Sequence, residues 1–412
     1  MKILFVHQNF PSQYKHILQE LSQEGHELVA LGYFPLSEDV PPNLHYIRYP
    51  IKQESTRGIH PLVIDLETKA IKAEACAITA YQLKKQGFYP DLICGHAGWG
   101  ETLFLKDIWP QTPQLTYQEF FYQPQGFDSH FDLELQPKAS WLSSARLHFK
   151  SANSFLSLER SEWNLTPTKF QRSSFPIHWQ QRMSVIHEGI DTEIIKPKEH
   201  HEPLQLSDAL ITGKTPLVTF VNRRLEPYRG CHTMIRAIPE IQSKAPTAHI
   251  VLIGHTEGTS YGKKCPEGEW KDYFLKEIEG NYDPSKVHFT GALPFHRYLD
   301  LLQRSWAHVY LTYPFVLGWS MLEAMSCGCT LIGSNTAPVQ EVIEHRKNGL
   351  LVDFFDPLAL ARSVASMLQD RDQAMDLGSK ARETIMNRFE RKSCVRDHIR
   401  LIHQVAKGSF DQ

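Results

Sequence analysis

The sequence lacks the patterns that mark metal-bound, disulfide-linked and membrane-spanning proteins. Its 412 residues include seven cysteines, an odd number, and only Cys327 and Cys329 lie close together. They do not show the paired spacing of a zinc site, and a disulfide framework usually has an even number. No apolar stretch approaches the ~20 residues that a membrane-spanning helix requires. We expect reduced cysteines, no bound metal and no transmembrane segment.

An excess of charge of one sign is also lacking. Lys and Arg total 44 against 46 Asp and Glu, which leaves a net charge of −2. This balance provides no general attraction to DNA or to anionic lipid. The apolar run near the N-terminus is too short for a signal peptide. We expect a cytoplasmic protein that binds no nucleic acid, and peripheral association with a membrane stays open.

What is present is a repeated strand–helix–strand pattern typical of a globular α/β protein. With 42% hydrophobic and 22% charged residues, disorder is excluded, and the length suggests about two domains. Two short apolar runs flank a helical pattern near the N-terminus, and the same order returns after residue 215. The segments are Ile3–Val6, Ile17 to Leu21 and Leu28–Leu31, then Leu217–Val221, Cys231–Ser243 and Ile250–Ile253. Two starts of a parallel sheet predict two doubly wound domains.

The polar segment from Ile186 to Pro216 has several prolines and weak periodicity, so it is interpreted as the connection between the domains. We therefore expect domains over residues 1–195 and 196–388. A helix over about 389–412 either closes the second domain or packs back on the first. In this layout ligands bind at the carboxyl ends of the parallel strands.

The segment from Tyr313 to Gly328 places a carboxylate, Glu323, in an otherwise apolar helix that begins near Trp319. Such a carboxylate needs hydrogen-bond donors, because burial without them costs several kcal/mol. A ribose diol is one source of donors, and an arginine in a purely structural pair is the other. Free N–H groups at the helix start favour a phosphate. Ser320 either caps this helix or reaches that phosphate.

The segment from Val218 to Gly230 concentrates three guanidinium groups, Arg223, Arg224 and Arg229, directly after a predicted strand. Arginines bind a diphosphate bidentately and stabilise the charge that develops on it when a bond to it breaks. The alternative is a solvated turn with ordinary surface arginines.

Together these segments resemble the retaining glycosyltransferases of the GT-B fold, and are similar to glycosyltransferase family 4 (glycosyl transferases group 1). The turn NRRLEPYRG resembles the family's diphosphate-binding turn, which implies donor contacts from Arg223 and Arg229. The family has two Glu residues eight positions apart. Glu323, within Glu-Ala-Met, matches the second, which implies ribose binding, but the first position is Phe315. The similarity extends from Met1 to about Phe389.

The resemblance implies an α/β GT-B fold with two Rossmann-like domains facing a central cleft, the first for the acceptor and the second for the donor. It also implies that His96, in DLICGHAGWGETLFL, contacts the donor sugar and acts with Arg223 and Arg229 in catalysis. Trp99 and Glu101 would line the acceptor side. The remaining donor contacts are expected from residues near the nucleotide: Leu293, Gly318, Trp319 and Ser320.

The function implied is transfer of a sugar from a UDP- or GDP-sugar to a hydroxyl group, with retention at the anomeric carbon and without cofactor or metal. A glycan, a lipid-linked sugar and a small molecule are all open as acceptor, and glycan, polysaccharide or glycolipid biosynthesis is the expected setting. Phe315 motivates one alternative, a catalytically weak nucleotide-sugar-binding subunit of another transferase. A GT-B epimerase or phosphorylase is a further alternative.

Overall fold

A computed structural model of the chain describes residues 1–36, 40–136, 138–206 and 209–409. The chain divides into two compact units. The first contains Met1–His130, Pro137–Gly189 and Arg391–Gln412, and the second contains Phe131–Gln136 and Ile190–Glu390. One short segment, Phe131–Gln136, therefore lies within the first unit in sequence but packs in the second.

The first unit is built on a seven-stranded parallel sheet with the order β3-β2-β1-β4-β5-β6-β7. Its strands are short and mostly buried, as parallel strands covered on both faces are. The strands are β1 Lys2–Val6, β2 Glu27–Gly32, β3 Leu44–Arg48, β4 Leu92–His96, β5 Gln114–Tyr117, β6 Trp163–Thr166 and β7 Met183–Val185. The helices are α1 Lys15–Gln23, α2 Ile64–Lys85, α3 Leu105–Ile108, α4 Trp141–Arg160, α5 Lys169–Ser173 and α6 Ile177–Gln180.

The second unit is built on a six-stranded parallel sheet with the order β12-β11-β10-β13-β14-β15, and a separate antiparallel pair, β8-β9. The strands are β8 Leu204–Leu206, β9 Ala209–Ile211, β10 Leu217–Arg224, β11 His249–His255, β12 Val287–Phe289, β13 Ala307–Tyr310, β14 Leu331–Ser334 and β15 Leu350–Val352. The helices are α7 Cys231–Lys244, α8 Trp270–Glu277, α9 Phe295–Arg304, α10 Trp319–Ser326, α11 Ala337–Gln340, α12 Pro357–Gln369 and α13 Arg371–Arg388.

The last helix, α14 Arg391–Ala406, belongs to the first unit. Its residues Val395, Leu401, Ile402 and Val405 are buried in the same core as Leu18 of α1. The apolar residues recur at helical spacing, so one face of α14 is covered while its Arg and Lys residues stay outside.

The segment that was expected to connect the domains, Ile186 to Pro216, spans the boundary between the two units, which falls between Gly189 and Ile190. Ile190, Ile195, Leu204 and Ile211 are buried in the core of that unit, and the last two lie on the β8-β9 pair. The segment thus contains the crossing between the units, and its isolated apolar residues anchor the chain in the second unit although they carry no periodic signal.

In each sheet the strand order reverses between the first strand and the strand that pairs on its other side. The reversal falls between β1 and β4 in the first unit and between β10 and β13 in the second. Ligands of doubly wound sheets bind at the carboxyl ends of the strands at such a reversal. No helix among the described residues is both long enough and apolar enough to cross a membrane.

Candidate functional site

The arginine-rich turn lies at the strand reversal of the second unit, where β10 ends. The pairing of β10 with β11 shifts register between Val221 and Arg224, and a single turn of 3₁₀ helix, Pro227–Arg229, follows. Gly230 then adopts φ 70°, and a Cβ there would lie 2.4 Å from the Cβ of Leu311. Only glycine fits this left-handed position, so the chain returns tightly to α7 and Arg229 stays beside the end of β13.

Arg229 is held by neutral oxygens of the segment that follows β13. Its Nη1 donates to Thr312 Oγ1 and to the Val316 carbonyl, both at 2.8 Å, and to the Tyr310 hydroxyl at 3.3 Å. The guanidinium carbon also lies 5.7 Å from the ring centroids of Tyr261 and Phe315. The guanidinium is thus fixed across the strand reversal, where it can bind an anion.

The two neighbouring arginines differ in their surroundings. Arg223 is exposed, whereas Arg224 is half-buried and its Nη1 donates to the Glu257 carbonyl. Glu226 follows in the same turn, and its carboxylate accepts from the Ser260 and Tyr261 N–H groups at 2.6 and 3.1 Å. Burial raises the pKa of Glu226, which these N–H groups partly oppose.

Helix α10 starts beside Arg229. The residue before it is Gly318, and no side chain caps the helix. Ser320 is the second helical residue and not the cap, so of its two predicted roles the contact with a phosphate stays a prediction. The Gly318 N–H donates to the Tyr310 hydroxyl at 2.6 Å. A phosphate that used this N–H would have to displace the Tyr310 hydroxyl, and the contact between Gly318 and the donor stays a prediction. Trp319 is 39% exposed at the helix start.

Glu323 lies one turn further along α10 and is partly buried. Its Oε2 accepts a hydrogen bond from the Tyr298 hydroxyl of α9. Burial and the neighbouring Glu323 carboxylate raise the pKa of Tyr298, which stays a donor. A carboxylate has about four acceptor sites, so Glu323 can accept from more than one donor group.

Phe315, at the position where the family resemblance places a carboxylate, is only 2% exposed. Its ring lies 5.0 Å from Tyr261 and 5.6 Å from Tyr228. Phe315 is therefore a packing residue of the arginine turn.

Leu293, which was expected near the nucleotide, is partly buried and packs against the core of the second unit.

In the first unit, His96 ends β4 at the strand reversal. Its Nδ1 accepts from the Gly98 N–H at 3.0 Å, and its ring stacks on Trp99 with centroids 4.1 Å apart. Burial lowers its pKa well below the ordinary value, so the imidazole is neutral. Since Nδ1 accepts, the proton is on Nε2, and this atom has no partner within the described ranges.

Sequence reasoning did not single out His7, which lies directly after β1. Its ring centroid is 5.1 Å from that of His96, and burial lowers its pKa to about 4. Its position directly after the first strand, at the edge of the sheet where ligands bind, was the feature of the sequence that could have identified it. Glu101, expected on the acceptor side, is 1% exposed and accepts from the Tyr49 hydroxyl at 2.7 Å; burial raises its pKa.

All seven cysteines are free. Among the described residues, one group of side chains has ligand atoms close enough for a metal ion: Glu24, His26 and His403, within 4.8 Å of one another. The Nε2 atoms of both histidines lie 2.9 and 3.0 Å from the same Glu24 oxygen. Hydrogen bonding accounts for this geometry on its own.

Two doubly wound parallel sheets in one chain place the protein in the GT-B class. Two family models match the chain: Glycosyl transferase family 4 group over residues 24–195 and Glycosyl transferases group 1 over residues 205–384. The chain belongs to these family 4-like, group 1 glycosyltransferases, which confirms the family and the fold predicted from the sequence.

Two curated relatives illustrate the similarity. The GDP-mannose-dependent alpha-(1-6)-phosphatidylinositol monomannoside mannosyltransferase of Mycobacterium tuberculosis is 28% identical over 204 residues, 48% of this chain and 49% of that protein. An uncharacterized glycosyltransferase of Methanocaldococcus jannaschii is 22% identical over 183 residues, 44% of each chain. The chain thus matches about half the length of these relatives.

Solved structures match over almost the whole chain. Sucrose-phosphate synthase from Thermosynechococcus elongatus has a TM-score of 0.72 at 18% identity, covering 99% of this chain and 100% of that one. Anabaena HepE in complex with UDP-glucose has a TM-score of 0.67 at 16% identity, covering 98% and 100%. At these identities the likeness concerns the fold.

Proposed function

We propose that the protein transfers a sugar from a nucleoside diphosphate sugar to a hydroxyl acceptor. The observation that carries this proposal is Arg229, which Thr312 and Val316 hold at the strand reversal. Arg223, in the same turn, is exposed. Two guanidinium groups at this point suit a diphosphate. Glu323, within the same unit, supplies the acceptor for a ribose diol.

The names of similar proteins support a UDP- or GDP-sugar as donor. The mycobacterial relative is named as GDP-mannose-dependent, and the HepE structure contains UDP-glucose. We assign the donor to the second unit and the acceptor, a glycan, lipid-linked sugar or small molecule, to the first. A cytoplasmic location accords with the sequence.

The mechanism we propose retains the configuration of the sugar. The bond between the anomeric carbon and the diphosphate breaks, and the acceptor oxygen bonds to that carbon from the same face. The proton of the acceptor hydroxyl passes to the leaving diphosphate oxygen, while Arg223 and Arg229 stabilise the charge that grows on the diphosphate. The guanidinium groups take the place of a metal ion, and no carboxylate pair at glycosidase spacing is needed. His96, neutral and protonated on Nε2, would donate a hydrogen bond to the sugar.

A thermal-shift panel of UDP, GDP, ADP and their sugars tests the donor site. A nucleotide that binds the folded protein alone stabilises it by about 2.7 kcal/mol at a hundred times its Kd. We expect one base to raise the Tm of the wild type, and Arg223→Ala and Glu323→Ala to reduce that shift. If no nucleotide shifted the wild type more than these variants, the donor site would be misassigned.

The alternative of a catalytically weak partner subunit is not favoured by the family match. Its motivation was Phe315, and the structure gives this residue a packing role beside Arg229. Release of free sugar from the preferred donor by the purified chain alone would exclude this alternative.

A further inference from the structure

The segment Phe131–Gln136 is a built part of the second unit, although the residues on either side of it in sequence belong to the first. Its backbone forms a turn around Asp132. The Asp132 Oδ1 accepts from the N–H groups of Glu134 and Leu135 at 3.0 and 3.2 Å. The same carboxylate therefore shapes the segment and, through its other oxygen, contacts the body of the unit.

That second contact is made with Tyr313. Asp132 is completely buried, and its Oδ2 accepts from the Tyr313 hydroxyl at 2.6 Å and lies 3.4 Å from His232 Nε2. Burial lowers the pKa of His232 to about 4, so His232 is neutral at neutral pH. The hydroxyl of Tyr313 and the two N–H groups are thus the donors that compensate a buried charge.

Two further residues of the segment, Phe131 and Glu134, also contact the second unit. The Phe131 ring lies 5.2 Å from Tyr313 and 5.4 Å from Phe354. Glu134 pairs with Arg236 through two bonds of 2.6 and 2.9 Å. Bidentate pairs of this kind add geometric specificity, so the turn is held at three points within the unit.

Tyr313 connects this turn to two parts of the candidate diphosphate site, the arginine turn and the segment that leads from β13 to α10. Its N–H donates to the Tyr228 carbonyl at 3.0 Å, and the two rings are 4.6 Å apart. Tyr228 precedes Arg229, and Tyr313 itself begins the stretch whose Val316 carbonyl accepts from Arg229. A shift of Tyr313 would therefore move the arginine turn and the segment leading to α10 together.

We propose that Asp132 is a positioning residue for the nucleotide site, acting through Tyr313. The proposal rests on the proposed function for the identity of the ligand. It assigns to the segment Phe131–Gln136 a part in donor binding, although it supplies no group to the nucleotide. A mainly stabilising Asp132 would instead affect the whole second unit evenly.

Hydrogen exchange of the free protein separates these two roles. The amides of Tyr313 and Gly318 donate within the site, whereas the His308 amide donates to the Thr330 carbonyl in the central sheet of the same unit. In Asp132→Ala we expect exchange of the Tyr313 and Gly318 amides to accelerate by at least about tenfold, with the His308 amide unchanged. Equal acceleration at His308, or no acceleration at Tyr313 and Gly318, would overturn the proposal.

Nucleotide affinity gives the second readout. We expect Asp132→Ala and Tyr313→Phe each to raise the Kd of the preferred nucleotide by about tenfold, and the double variant by little more, because the two residues act through one bond. Asp132→Asn keeps an acceptor and should recover most of the affinity. Asp376→Asn, which weakens an exposed pair with Lys380 on α13 of the same unit, is the control and should bind as the wild type does.

The two experiments distinguish a failure of the proposed function from a failure of the role assigned to Asp132. If the wild type bound no nucleotide, the proposed function would fail, while hydrogen exchange would still decide the role of Asp132. If Asp132→Ala did not fold, the same measurements of hydrogen exchange and of nucleotide Kd would be made on Tyr313→Phe, which removes only the hydroxyl. Additive effects of the two substitutions on affinity would contradict the proposal.

Discussion

The guanidinium of Arg229 lies against the ring of Phe315, with 5.7 Å between the guanidinium carbon and the ring centroid. The next residue, Val316, accepts a hydrogen bond from the same guanidinium. The position where the family resemblance places a carboxylate thus carries a buried ring in contact with the arginine. A ring does not neutralise the guanidinium, which keeps its charge for an anion.

Replacing this ring by a carboxylate should harm nucleotide binding. In Phe315→Glu we expect the new carboxylate to pair with Arg229 and compete with the diphosphate, raising the nucleotide Kd by about tenfold or ~1.4 kcal/mol. The Tm should also fall, because the contacts with Tyr228 and Tyr261 are lost. Calorimetric titration with UDP and GDP measures the first effect. Phe315→Leu is the uncharged control, and tighter binding in Phe315→Glu would contradict the prediction.

Removing the guanidinium itself should weaken binding more strongly. Arg229→Ala removes a charged donor, and hydrogen bonds to charged groups contribute about 1.5–3 kcal/mol, so we expect the Kd of the nucleoside diphosphate to rise by at least tenfold. The Kd of the nucleoside without phosphates should be the same for Arg229→Ala and the wild type. Arg224→Ala, five residues earlier in the same turn, is the control. Equal losses in the two variants would mean that Arg229 has no special part in binding.

Much of the sheet was predictable, because parallel strands that are buried on both faces appear as continuous apolar runs. The runs near Ile3, Leu28, Leu217 and Ile250 each mark an observed strand. Strand β3, Leu44–Arg48, was not predicted, since its exposed and half-buried positions interrupt the run.

The site was predictable where its residues cluster in sequence and not where folding brings distant residues together. Arg223, Arg229 and Glu323 stand in short motifs with chemically suitable side chains. Asp132 and Tyr313 are 181 positions apart, and no periodicity or spacing connects them. The use of the Gly318 N–H by Tyr310 depends likewise on a tertiary contact.

Ribose recognition by Glu323 can be tested with deoxynucleotides. The wild type should bind the ribonucleoside diphosphate more tightly than its 2′-deoxy form, and Glu323→Gln should lose most of this preference, about tenfold, because an amide accepts more weakly than a carboxylate. The ratio of the two Kd values is the measurement. Tyr298→Phe removes the donor to Glu323 but keeps the carboxylate, so it should retain the preference. An unchanged ratio in Glu323→Gln would remove Glu323 from the ribose site.

Nucleotide binding should not depend on a divalent cation. If Arg223 and Arg229 supply the positive charge at the diphosphate, the Kd in excess EDTA should lie within about twofold of the Kd in magnesium. Titrations in both buffers, with the ionic strength matched, measure this. A large loss of affinity in EDTA that magnesium or manganese restored would show that the arginines do not replace a metal ion.

Acidification should destabilise the second unit through His308. This residue is completely buried in β13, its Nδ1 lies 2.8 Å from the Thr219 hydroxyl, and burial lowers its pKa from 6.5 to about 3. Between these values the unfolded chain binds a proton that the folded chain excludes, so stability falls as the pH falls below 6.5. At about pH 5 the loss from His308 would be about 2 kcal/mol.

Two substitutions test this effect: His308→Asn removes the buried imidazole, and His296→Asn, at an exposed histidine of the same unit, is the control. Asparagine presents an amide near the place of Nδ1 and does not titrate, so in His308→Asn the free energy of unfolding should fall less between pH 6.5 and about 5 than in the wild type. His296→Asn, at an exposed position of α9, should leave the wild-type dependence intact. Urea denaturation at the two pH values gives the comparison. An equal fall in wild type and His308→Asn would show that the buried imidazole does not set the acid sensitivity of this unit.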